Sequence, residues 1–139
     1  MLIKRTIATS MAATFCLLLS VLAYSGQVSE WLLGKWVAQS RGTVAVHGDM
    51  EVRKDRIFWE RHGWVKYKVI SETTSSILID LERSVDCGKV VRFGPYPETG
   101  TSSSALQMAE YPSLEHAASK GGDLWKSGAC GWGVYNVSR

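Results

Sequence analysis

Met50-Glu51-Val52-Arg53-Lys54-Asp55-Arg56-Ile57-Phe58-Trp59-Glu60-Arg61-His62-Gly63-Trp64-Val65-Lys66-Tyr67-Lys68-Val69 contains three short segments whose side chains change character at every second position. Met50 and Val52 alternate with Glu51 and Arg53, Ile57 and Trp59 with Phe58 and Glu60, and Val65, Tyr67 and Val69 with Trp64, Lys66 and Lys68. Successive side chains of a strand point to opposite faces, so this period predicts half-buried β-strands. Lys54-Asp55 and His62-Gly63 supply the turns between them. Strands this short, with turn signals about every eight to twelve residues, indicate a sandwich or a barrel.

The same period continues downstream. Ile77, Ile79 and Leu81 alternate with Leu78, Asp80 and Glu82, and Val91 and Phe93 with Val90 and Arg92. The alternation predicts that Leu78 and Val90 face outward. Breaks fall at Arg41-Gly42, His47-Gly48-Asp49, Glu72 to Ser76, Asp86 to Gly88, and Gly94 to Ser104. Beyond Leu106 to Tyr111, Ser113 is a cap candidate and Gly121 a stop for one short helix. A closing strand is predicted from Trp132 to Val137. With no linker or repeat in sight, residues 26–139 read as a single all-β domain, a small antiparallel barrel of about eight short strands with one short helix near the C-terminus.

Upstream, Lys4 and Arg5 precede an uncharged stretch centred on Phe15-Cys16-Leu17-Leu18-Leu19, which ends in Ala23-Tyr24-Ser25. That order predicts a secretory signal peptide over residues 1–25 and a periplasmic or secreted mature chain of 114 residues (139 less 25). An uncleaved anchor is the alternative, since Thr6 to Ser29 carry no charge and just suffice to span a bilayer. Removing Lys4 and Arg5 from the 16 basic residues leaves 14 against 13 acidic ones, a net charge of about +1. That excludes an electrostatic footprint for nucleic acid. It also leaves Cys87 and Cys130 as the mature chain's cysteines, read as one disulfide in an oxidising compartment. Closing a loop of roughly 40 residues is worth roughly 4 kcal/mol on the chain-entropy account. No metal site is predicted: there is no CxxC pair, and His47, His62 and His116 lack ligand spacing.

At Leu32-Leu33-Gly34-Lys35-Trp36 a Gly-x-Trp enters the first strand. Together with the succession of antiparallel strands and the late helix, it resembles the lipocalin-like members of the calycin group. The resemblance implies that Trp36 closes the base of the barrel and that Gly34 lets the backbone pass close to it. It further implies an exported binding module for a small apolar ligand or a cell-envelope component. A barrel of this length can instead fill its interior with its own side chains.

Nothing points to an enzyme: no Gly-x-Ser-x-Gly elbow is present, and Asp80 and Glu82 read as outward solubilising charges. No cofactor is called for. Of the six tryptophans, Trp36 and Trp59 read as core residues. Trp64 shares a face with Lys66 and Lys68 and is a candidate contact residue. Trp125 and Trp132, among glycines, are candidates to cover one barrel end or to form part of a binding rim. The second function class is a periplasmic inhibitor or immunity protein that blocks a secreted hydrolase by inserting a loop. The candidate loop is Gly94-Pro95-Tyr96-Pro97-Glu98-Thr99-Gly100, with Tyr96 as its contact residue and two prolines that lower the entropy cost of docking.

Overall fold

Where apolar and polar residues alternate, the backbone is strand. The computed structural model, which describes residues 28, 30–73, 75–95, 105–118 and 128–138, has β1 (Gly34–Ala38), α1 (Arg41–Val46), β2 (Met50–Val52), β3 (Arg56–Trp59) and β4 (Gly63–Glu72). These are followed by β5 (Ile77–Leu81), β6 (Val90–Pro95), β7 (Ala105–Tyr111), α2 (Leu114–Ala118) and β8 (Gly131–Val137). Each strand pairs antiparallel with the next in sequence, and β8 returns to β1 with Trp36 opposite Val137, so the sheet closes into a barrel. Of the two all-β architectures that the period allows, the barrel is the one formed.

From β2 to β6 the inward positions match the alternation read from sequence. Met50, Val52, Ile57, Trp59, Val65, Ile79, Leu81, Val91, Phe93, Leu106, Met108 and Tyr135 belong to one continuous buried cluster. The protein's own side chains thus pack the barrel interior, as expected for about eight strands. Trp36 is buried at the lower end, where its indole N–H donates to the Leu32 carbonyl at 2.9 Å. Gly34 is required here for its backbone angle, φ +119°, a region closed to other residues. Space is not the reason, because a Cβ at Gly34 would meet nothing within 4 Å. The close backbone passage implied by the lipocalin resemblance is therefore not what this glycine provides.

One expectation needs correction and one an addition. The sequence reading has one helix, whereas the described residues hold two. Arg41-Gly42, read as a turn, opens α1, whose N-cap Ser40 accepts from the Thr43 N–H at 3.1 Å. Thr43 is buried, and its Oγ1 accepts from the Val134 N–H of β8, seating α1 over the upper end of the barrel. Leu78 and Val90 do lie on the outer side of the wall, yet they are buried. They form a second cluster with Ala109, Tyr111 and Ala117, roofed by α2. Covering each is worth roughly 1.5–3 kcal/mol relative to exposure, a tertiary effect that a single strand's period cannot show. Ser113 caps α2 as read, accepting from His116 N–H at 3.4 Å, and Arg92 on β6 donates to the Ala117 carbonyl at 2.6 Å.

The disulfide is formed. Cys87 in the β5–β6 connection is bonded to Cys130 just before β8, with Cα atoms 6.0 Å apart. Beside it the chain is pressed against β7, because a Cβ at Gly88 would stand 2.1 Å from the Tyr111 carbonyl oxygen.

Candidate functional site

Among the described residues, two places carry chemistry beyond packing. The first is the outer wall of β2–β4. Val65 and Tyr67 face inward, so Trp64, Lys66 and Lys68 face solvent, as the sequence predicts. Trp64 is 41% exposed, a high value for so large an apolar surface. It is also held firmly. The guanidinium groups of Arg53 and Arg56 each lie 4.6 Å from its ring. Phe58, its cross-strand partner, packs at 5.3 Å between ring centroids. The β2–β3 turn delivers Arg53 and the register Arg56↔Lys66 delivers Arg56, so both cations follow from the hairpin geometry. Arg53 is further fixed by Glu51, its Nε donating at 2.9 Å. The sequence reading named the lysines as the neighbours of Trp64 and missed these two arginines.

The second place is the upper end of the barrel. On β7, Leu106, Met108 and Glu110 share the inward parity, and Glu110 is an acid with 0% exposure. Its Oε1 lies 2.5 Å from His47 Nε2, a residue 2% exposed. The other carboxylate oxygen, Oε2, accepts from the Cys87 N–H at 3.4 Å. His47 Nδ1 in turn meets His62 Nε2 at 3.0 Å. Burial, reinforced by His47, holds the His62 imidazole below its ordinary pKa, against the opposing pull of Glu110 and of a hydrogen bond to the Val46 carbonyl. His47 and His62, which looked scattered in sequence, are thus brought ring to ring. Their meeting was legible in principle: extending the pair Met50↔Trp59 by three positions each way places 47 opposite 62.

The remaining predicted site residues divide simply. Trp36 and Trp59 are buried in the core. Tyr96 and Trp125 lie outside the described residues, as do the signal segment and positions 96–100 of the candidate inhibitory loop. Gly94 and Pro95 end β6. Trp132 is half-buried and packs against the cluster beneath α2 rather than forming an open rim. His116 sits apart from the other histidines, with its Nδ1 2.7 Å from Ser113 Oγ.

Fold and geometry define a closed, eight-stranded antiparallel β-barrel with a filled interior, an aromatic–cationic outer wall and a buried polar cluster at one end. No family model matches the chain, and comparison with curated proteins and with solved structures likewise gives no match.

Proposed function

We propose that the chain is an exported binding module that docks an acidic protein partner of the cell envelope through the outer wall of β2–β4, with Trp64 as its anchor. The observation that carries this reading is the exposed Trp64 ring with the guanidinium groups of Arg53 and Arg56 against it. An aromatic side chain already held by two guanidinium groups loses little freedom on docking, and those groups offer forked donors to carboxylates. Lys66 and Lys68 extend the basic face, whereas Glu51 is engaged by Arg53 and Asp80 by Lys89 at 3.4 Å. An acidic surface is the electrostatic complement of such a wall.

The packed interior supports use of the outer surface over enclosure of a small apolar ligand. The disulfide fits an oxidising compartment. Among the described residues, no helix is long and apolar enough to cross a membrane.

Partner capture from envelope extract, compared across wild type, Trp64→Ala and Arg56→Glu, tests the reading. Both substitutions are expected to weaken capture by about 1–3 kcal/mol while leaving the unfolding midpoint nearly unchanged. Capture by wild type should also weaken with added salt. Capture indifferent to both residues would refute this contact surface. A ligand-carrying barrel predicts a different result, loss of binding on Ile79→Trp with no effect of either wall substitution.

A further inference from the structure

His47 follows α1, Asp86 lies in the β5–β6 connection and Glu110 sits on β7, so three separate segments send donors to one point. One ligand atom of each lies within 4.8 Å of the other two. His47 and Glu110 are buried, while Asp86 is exposed and opens the point to solvent.

In the tautomer whose other nitrogen donates to the Val46 carbonyl, His62 Nε2 faces His47 Nδ1 at 3.0 Å as an acceptor. His47 must then donate through Nδ1. In a neutral His47 this leaves the bare Nε2 lone pair pointing at the Glu110 carboxylate, 2.5 Å away. Glu110 Oε1, although in contact, has no hydrogen bond of acceptable geometry. Two atoms with lone pairs side by side, and a second carboxylate close by, call for a positive charge between them. The nearby Arg83 does not supply it, since its guanidinium donates to the His62 carbonyl at 2.5 Å.

We propose that His47 Nε2, Glu110 and Asp86 form a binding site for a divalent first-row metal ion, with Zn2+ as the reference ion. One imidazole nitrogen and two carboxylates suit zinc and its neighbours better than the all-oxygen ions calcium and magnesium. Metal–ligand bonds of about 2.0–2.2 Å set tetrahedral donor atoms about 3.3 Å apart, so the His47–Glu110 contact needs to open by less than about 1 Å. His62 acts as the outer partner that fixes the His47 tautomer. Asp86 directly precedes Cys87, which the disulfide ties to Cys130; the Cys87 N–H donates to Glu110 Oε2, and the Cys130 N–H donates to the Glu110 carbonyl at 2.8 Å. Three protein ligands leave a fourth position open on the Asp86 side.

The test is titration of the chelator-treated, disulfide-bonded protein with Zn2+ by calorimetry, and with Co2+ by visible absorption. One ion per chain is expected, with the Co2+ bands of a four-coordinate site. Glu110→Gln and His47→Gln should lower Zn2+ affinity at least 100-fold. Asp86→Asn and His62→Gln should lower it by about 10–100-fold, the scale of an outer ligand or a supporting partner, and His116→Ala should leave it unchanged. Asp86 is exposed, so Asp86→Asn keeps the test decisive should the buried substitutions fail to fold. No stoichiometric uptake, or uptake unchanged by Asp86→Asn, overturns the proposal. So does nitrogen-15 NMR showing His47 protonated on both nitrogens in the presence of excess Zn2+, the signature of a plain imidazolium–carboxylate pair.

Discussion

Thr43 Oγ1 accepts a hydrogen bond from the Val134 backbone N–H at 3.1 Å, joining α1 to β8 across 91 positions of sequence. The same hydroxyl lies 2.6 Å from Ser40 Oγ, so one buried atom serves the helix cap and the barrel wall together. Thr43→Val keeps the shape and removes the acceptor, leaving the Val134 N–H without its partner. We expect a loss of about 1–3 kcal/mol in urea unfolding, the cost of an unmet buried donor. Thr43→Ser, which retains the hydroxyl, should recover most of it.

Gly88 and Gly42 should respond oppositely to alanine. A Cβ at Gly88 would overlap the Tyr111 carbonyl, and backbone cannot swing aside as a flexible side chain can. Gly88→Ala is expected to cost at least about 2 kcal/mol. Gly42 lies in α1, where an added Cβ would meet nothing within 4 Å, so Gly42→Ala should stabilise by about 0.5–1 kcal/mol. Thermal melts of the two variants beside wild type check both signs at once.

Removing the cross-link by Cys87→Ser with Cys130→Ser should lower stability by about 2–4 kcal/mol, because the unfolded chain regains the freedom of a long loop. Reduction of the wild type should reproduce the shift in midpoint. An equal stability for reduced and oxidised protein would contradict the prediction.

Burial pushes the phenols of Tyr67 and Tyr135 well above their ordinary range, with Asp55 reinforcing the effect on Tyr67. In the unfolded chain both ionise near the usual value of about 10. Between that value and the raised native one, the folded state holds more protons, so stability must fall as pH rises past about 10. Ultraviolet titration should show these two tyrosines ionising late and together with unfolding. Tyr67→Phe is expected to flatten the alkaline decline, although it also removes the hydrogen bond from the Tyr67 hydroxyl to the Arg53 carbonyl.

The barrel was legible because its wall is one layer thick. Each of Met50, Val52, Ile57, Trp59, Val65 and Tyr67 faces the core and is flanked by residues facing water, so the period of two is a direct record of the fold. Helix α1 was not, since Gly42, Thr43 and Val44 are poor helix formers and Val44 and Val46 remain exposed. Its only local signal is Ser40, three residues before the N–H it caps. The outer burial of Leu78 and Val90 depends on α2, which arrives from a distant part of the chain. Trp64 was legible as an exposed aromatic, but its arginine clamp required knowing the β2–β3–β4 register. Glu110 carries its signal in the sequence, as an acid at the inward parity set by Leu106 and Met108.

The pairing of Trp36 with Val137 means that the barrel is completed only when the eighth strand joins the first. Contacts so distant in sequence must overcome their loop entropy before they contribute, which slows folding relative to locally connected topologies. Until β8 arrives, β1 and β7 each keep one open edge, with amide and carbonyl groups free to pair with another chain. A chain shortened before residue 131 would keep those edges permanently, and its natural fate would be association with its own copies.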